Sequence, residues 1–587
     1  MGTSVCGHAG LRSSTTTRLL LVGVVLTAAL WLTSQAQAAV TASVARGTLT
    51  VTGSAPGERI ALRLASVGRL VVDVGDNGSA NFTFLRNRFT RIAVKGGLGN
   101  DRLRIDESRG AFTSTERTTL NGGPGADTLI GGRFAETLNG FTGIDTVEGN
   151  AGADTAVLGA GADLFVWDPG DGNDVVQGGS ELDTIRFNGS AAAEIFGAAA
   201  FGSELRLTRN LGAVVMRSQD VETVALNALG GADSLTVNDL DTTDVTTVNL
   251  GLAVGGSGDV AADSVVVNGT TAADIAQVIA AGTTVQVNGL DPQVNIVGSE
   301  AASDRVTLNG LGGNDTLSAG ALAALMQLTL DGGDANDTLN GGNGADVILG
   351  GSGNDTIDGN QGNETTLMGD GNDTFVWDPG DGSDIVEGQS GVDTLLFNGS
   401  AGAEIFTASS NGGRLLFTRN VGNIIMDTDD VEVLTVNALG GTDLVTVNDL
   451  SATDITNVNQ NLGVSGASDG AIDALTVNGT VGVDVMSLSG SAGSVTVSTT
   501  AYTIAISNAA PANDTLTVNL SSGDDLLSAS GLANSSVVLT LNGGNDEDVL
   551  VASAGADTVN CDAGTDYADG GPGIDSSSGC ETTVNIP

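Results

Sequence analysis

A nine-residue pattern, Gly-Gly-x-Gly-x-Asp-x-apolar-x, recurs along this sequence, and each residue type in it has a chemical use. Clean copies run from Gly122 to Ile130, Gly341 to Leu349 and Gly350 to Asp358. Glycine at positions one, two and four lets the backbone take positive φ, so that the turn curls its carbonyl oxygens inward. Aspartate at position six adds a carboxylate to the same pocket. The apolar residue at position eight starts a short strand and points into a thin core. Two nonapeptides make one coil, so turns eighteen residues apart stack on one edge. A cation between stacked turns meets backbone carbonyls and a carboxylate from each. All-oxygen, flexible coordination suits Ca²⁺ better than Mg²⁺, which keeps its water, or Zn²⁺, which takes nitrogen or sulfur. A single Asp-Gly turn needs no ion and reads as a solvated loop. Consecutive copies in register are different, because each site requires the turn eighteen residues away.

Degenerate copies extend the pattern into three blocks, about 122–186, 332–396 and 543–578. The copies resemble the RTX calcium-binding β-roll repeat. That resemblance implies calcium as the bound ion and the position-six carboxylates as ligands. In the first block these are Asp127, Asp145, Asp154, Asp163, Asp174 and Asp183. In the second they are Asp337, Asp346, Asp355, Asp373, Asp384 and Asp393. In the third they are Asp548, Asp557, Asp566 and Asp575. Glu136 and Glu364 replace aspartate in one turn each, where the longer side chain would overreach. Phe134 and Phe141 replace turn glycines, and Glu181 and Asp546 take the fourth position in two other turns. The first two blocks also carry a two-residue insertion, Trp167-Asp168 and Trp377-Asp378, read as a packed ring where the register changes.

The elements that must hold these turns are strands. A unit with a 210-residue offset is duplicated: Phe165 to Gly172 recurs as Phe375 to Gly382, and Asn227 to Gly231 as Asn437 to Gly441. Between the blocks, alternating runs such as Val221 to Leu226 and Thr284 to Val287 read as strands. Only 8 prolines interrupt them, and one short helix is expected over Leu322 to Leu328. The expected fold is all-β, with parallel β-roll or β-solenoid blocks alternating with β-rich segments. The order is a signal at 1–38, a β-rich segment at 39–118, block one at 119–187, a β-rich segment at 188–331, block two at 332–397, a β-rich segment at 398–541, and block three at 542–587. The inter-block segments either continue the solenoid as a parallel β-helix or form small sandwiches. Recurring Gly-Asp turns, such as Gly230 to Asp233 and Gly312 to Asp315, favour the solenoid.

Composition agrees with a repeat. The chain has 587 residues, 87 of them glycine, and 3 % aromatic content, too few rings for a compact globule of that size. Arg12 and Arg18, the apolar run Leu19 to Leu32 and the small-x-small site Ala36-Gln37-Ala38 read as a cleaved secretory signal. Without it, 20 basic residues face 70 acidic ones. That balance argues against a nucleic-acid partner and for cations that neutralise the acids. No later run is apolar enough to cross a membrane. Of three cysteines, Cys6 leaves with the signal, and Cys561 and Cys580 remain. They stand 19 apart, one more than a coil, and adjacent coils ~4.8 Å apart lie within disulfide reach.

The sole histidine, His8, lies in the signal. The expected mature chain therefore lacks the His pair of a zinc protease and the triad of a serine hydrolase. Carboxylate pairs for glycosidase chemistry arise by chance among so many acids, and no pair stands out. The reading is a non-enzymatic, secreted calcium-binding repeat protein that folds on export as a structural or surface component. The alternative is a calcium-dependent adhesin or matrix component with cell-surface or extracellular glycans as partners. A polysaccharide-active enzyme comes third.

Overall fold

The computed structural model describes residues 39–253, 258–322, 324–511, 513–533 and 536–586; the expected signal at 1–38, with Cys6 and His8, lies outside them. From Val40 onward the chain forms one unit. It is an all-β solenoid in which the chain alternates between two long, mostly parallel sheets. The first sheet stacks Thr48–Thr52, Arg91–Lys95, Arg117–Pro124, Thr137–Thr142, Thr155–Ala160 and Val175–Ser180. The second stacks Arg59–Ser66, Arg102–Asp106, Thr128–Ile130, Thr146–Glu148, Leu164–Trp167 and Thr184–Asn188.

Strand alternation sets the inside. Position-eight residues Leu129, Leu138, Val147, Ala156, Phe165, Val176 and Ile185 all point into the gap between the sheets and are buried. The strand begins one residue earlier, at position seven, so position eight is its centre. Small and branched side chains suit this narrow core, and rings enter only where the coil widens. At the two-residue insertions Trp167 stacks on Phe187 (centroids 4.3 Å) and Trp377 on Phe397 (4.0 Å), all four buried. The indole N–H of Trp167 donates to the Gly172 carbonyl (2.9 Å), closing the longer turn.

The inter-block segments continue the same two sheets. Ser234–Val237, Ser264–Asn268, Arg305–Asn309 and Gln327–Asp334 carry the first sheet from one block to the next in parallel register. What differs is the antiparallel excursions. Ile195–Phe201, Glu204–Arg209 and Val214–Gln219 form a three-stranded meander within the first sheet, and Ile405–Asn411, Arg414–Arg419 and Ile424–Asp429 repeat it. The helix expected over Leu322 to Leu328 is replaced by a turn and a strand. Among the described residues there, the Leu322 carbonyl accepts from Leu325 (2.7 Å) and Met326 (3.1 Å), and Gln327 then pairs with Arg305. The helix-like apolar spacing is satisfied instead by burial of Leu322, Met326 and Leu328 in the solenoid core.

At the N-terminal end antiparallel strands replace parallel ones: Thr41–Ala45 pairs with Thr48–Thr52 at the edge of the first sheet, and Arg69–Val74 and Phe82–Leu85 extend the second. At the other end Cys561 and Cys580 form a disulfide with Cα atoms 5.1 Å apart. Closing a loop of this size is worth ~3 kcal/mol. Reduction, or Cys561→Ser, is expected to speed amide exchange in 558–586 while leaving the first block unchanged. Two free thiols in the C-terminal peptide on non-reducing mass spectrometry would remove the basis of this expectation.

Candidate functional site

The position-six side chains do not wave in solvent. All sixteen aspartates named above are buried, from 0 to 6 % exposed. On the edge where the chain passes from the first sheet to the second, the aspartates are joined by hydrogen bonds between coils. The Asp127 N–H donates to Oδ1 of Asp145 (2.7 Å), Asp145 to Asp163 (2.7 Å), and Asp163 to Asp183 (2.9 Å). In the second block Asp337, Asp355, Asp373 and Asp393 form the same ladder, and in the third Asp548 bonds to Asp566. The opposite edge repeats the rung with Asp154 and Asp174, Glu364 and Asp384, and Asp557 and Asp575.

One carboxylate oxygen per residue is thus spent on backbone. The other has no partner: Oδ2 is buried and unpaired in fourteen of the sixteen aspartates. Asp346 and Asp557 are the exceptions, since their Oδ2 accepts from the N–H groups of Gly342 (2.8 Å) and Ser553 (2.8 Å) in their own turns. A buried carboxylate oxygen without a donor is costly, which asks for a cation. Glycine makes the space around it. A Cβ on Gly122, at position one, would lie 2.3 Å from Oδ2 of Asp127. A Cβ on Gly125, at position four with φ +145°, would lie 1.9 Å from the Gly99 carbonyl of the preceding coil. The donor set is therefore carboxylate and backbone carbonyl oxygen, with no nitrogen or sulfur, and it fits a calcium ion.

Burial raises the pKa of these groups. Asp145, Asp174, Asp183, Asp337 and Asp393 are pushed up to about 7 and Asp154 to about 8, mainly because ionisation inside the turn loses hydration. Glu364 is raised by burial and then by the neighbouring Asp384 carboxylate. Glu136 and Glu364 are buried in the same column, and Glu136 Oε2 accepts from the Gly132 N–H (2.8 Å). The non-glycine turn residues Phe141, Glu181 and Asp546 take the glycine conformation, each with φ +81°.

Several column members fall outside the sequence-defined blocks. Asp101 precedes Asp127 in the ladder (2.7 Å), and Glu58 precedes Asp101 (2.6 Å). Asp315 precedes Asp337 (2.7 Å), and Asp525 precedes Asp548 (3.0 Å). Asp101, Asp233, Asp315 and Asp525 also carry buried, unpaired Oδ2 atoms. Gly96-Gly97-Leu98-Gly99-Asn100-Asp101 is a full copy of the turn and was legible. Among the described residues, three carboxylates converge within 4.8 Å only at Asp429, Asp430 and Asp454, outside the column. A cation in the column would thus rely on carbonyls for most of its shell.

The RTX calcium-binding nonapeptide repeat family matches the chain at 119–138, 139–166, 168–186, 302–321, 331–365, 341–375, 380–408 and 542–576. No curated protein matches it. Among solved structures it aligns with the extracellular lipase LipA from Serratia marcescens at 15 % identity, over 54 % of this chain and 42 % of the lipase, with a TM-score of 0.11. A score that low carries no argument. The matched segments coincide with the ladders of buried aspartates, and these parts of the chain are RTX-type calcium-binding nonapeptide repeats.

Proposed function

We propose that this chain is a secreted, non-enzymatic scaffold whose stacked Asp turns bind Ca²⁺ and whose coils fold stably only when they do. The observation that supports it is the row of buried, unpaired Oδ2 atoms beside turn carbonyls. Asp127, Asp145, Asp163 and Asp183 are the ligands on one edge of block one, with Asp154 and Asp174 on the other. Asp337, Asp355, Asp373, Asp384 and Asp393 serve block two, and Asp548, Asp566 and Asp575 block three. Asp346 and Asp557 are weaker candidates, because their oxygens are already satisfied. Bound calcium supplies the positive charge that lets these carboxylates ionise inside the fold. The chain's residues contribute pre-set turn geometry and exclude water from one side of each site. Extracellular modules hold calcium at ~10⁻⁴–10⁻³ M, so transfer to a calcium-rich compartment would complete folding.

Calorimetric titration of metal-free protein with calcium, paired with circular dichroism, tests this. Uptake of several ions per chain with a gain in strand signal is expected. A chain fully ordered after exhaustive metal removal that takes up no calcium would rule the scaffold out. The second reading, a calcium-dependent adhesin that contacts glycans, is favoured by the outward ring of Phe141, 52 % exposed, beside Lys95.

A further inference from the structure

Charge is unevenly distributed along this acidic chain. Residues 39–133 hold 13 basic and 8 acidic residues, and 134–587 hold 7 basic and 62 acidic. Some cations of the first stretch are neutralised internally, as in Arg63 with Asp73 and Arg86 with Glu116. Arg91, Lys95 and Arg117 are not: they are exposed on the outer face of the first sheet and make no ion pair among the described residues. Arg91 stands directly across from Arg117 on the adjacent strand, and Lys95 across from Asn121. Like charges in register destabilise a sheet.

Phe141 adds a second uncompensated cost on the same face. It occupies a glycine position of the turn at φ +81° and exposes half its surface. A residue with a β-carbon is strained there, and a ring turned to solvent gains no burial. Lys95 and Phe141 line one open groove of about 530 Å³, together with Asn121, Pro124 and Thr142.

We infer that this groove binds an anionic saccharide, a chain bearing carboxylate or sulfate groups. Phe141 stacks on the apolar face of a sugar ring, and Asn121 and Thr142 meet its hydroxyls. Lys95 takes one anionic group, with Arg91 and Arg117 continuing the track. The patch is small and is followed by an acid-rich body. A duplex nucleic acid, with one charge per ~1.7 Å, would run past the cations onto like charge. A sparsely charged sugar chain would not. The site deepens the adhesin reading and rests on it.

The test is calorimetric titration of the full chain in millimolar calcium with hyaluronan and chondroitin sulfate oligosaccharides, neutral dextran oligosaccharides and a short DNA duplex. The anionic sugars bind, and dextran and DNA do not. Lys95→Gln and Phe141→Gly each weaken binding about tenfold, roughly 1.4 kcal/mol. Phe141→Gly also leaves Tm unchanged or higher, because glycine suits that backbone; a purely structural ring would give the reverse. Arg186→Gln, in the acidic stretch, leaves binding as it was. The site is overturned if the wild type binds neither anionic sugar, if DNA binds as tightly, or if both groove variants bind like wild type. Binding to dextran or to intact cells without binding to anionic sugars overturns this site and leaves the adhesin reading standing. Binding to no sugar and no cell overturns both.

Discussion

Metal-free protein is expected to lose strand structure as pH rises from about 4 to about 8, and millimolar calcium is expected to reverse that trend. The position-six carboxyls ionise near 3.8 in an unfolded chain, but in the fold several hold their protons to about 7 and Asp154 to about 8. Between those values the folded state binds more protons than the unfolded one. Stability therefore falls with rising pH through that window, and the contribution of these groups is gone above it. Calcium takes the ionised form, so binding releases protons and becomes tighter toward neutral pH. Protein freed of metal by dialysis, followed by circular dichroism across this range with and without calcium, reads the effect directly. Superimposable profiles would mean that the buried carboxylates carry no linkage to metal.

The periodic part of this molecule was legible because sequence period and spatial period coincide there. Asp127, Asp145 and Asp163 are eighteen residues apart, and a coil is eighteen residues long. Where a coil carries an insertion the two part company. Asp101 lies 26 residues before Asp127, because the segment holding the buried Glu107, Phe112 and Glu116 lengthens that coil. The ladder is unbroken in space, yet nine-residue counting misses it. The same holds for Asp233 and Asp263, separated by 30 residues and joined by one hydrogen bond of 2.8 Å. The direction of Oδ1 was not legible at all. A motif records that a carboxylate is present, not that half of it is committed to the N–H of the previous coil.

Block ends show a different solution to the same charge problem. Glu194 occupies a column position after block one, and Glu404 its counterpart after block two; both are buried. Each pairs with an arginine fifteen residues downstream, Arg209 and Arg419, on the middle strand of the antiparallel meander. These guanidinium groups also lie over Trp167 and Trp377, at 5.7 and 5.2 Å from the ring centroids. The chain thus supplies its own cation where the regular turns stop. The Trp-Asp insertion, the meander and the glutamate form one device, and sequence reading saw only its first member. Fixed arginine charge needs no ion from solution, so the buried Glu194 and Glu404 are neutralised from within the chain.

Asp154→Asn should separate the two roles of the column. Asparagine keeps an oxygen for the Glu136 N–H, which Asp154 now accepts at 2.6 Å. It removes the charge that the turn cannot solvate. A carboxyl that ionises near 3.8 in the unfolded chain but holds its proton to about 8 in the fold opposes folding near pH 7 by on the order of 4 kcal/mol. The variant is therefore expected to be more stable than wild type without calcium at neutral pH and less stable with it, while binding fewer ions. Denaturant melts in both conditions, with the calorimetric ion count, give the comparison. Most substitutions in a buried hydrogen-bonded site lower stability in every buffer. A sign change on adding calcium is what distinguishes a ligand from a structural rung. If Asp154→Asn is destabilising in both conditions and leaves the ion count unchanged, the carboxylate is there to hold the coils and not the metal.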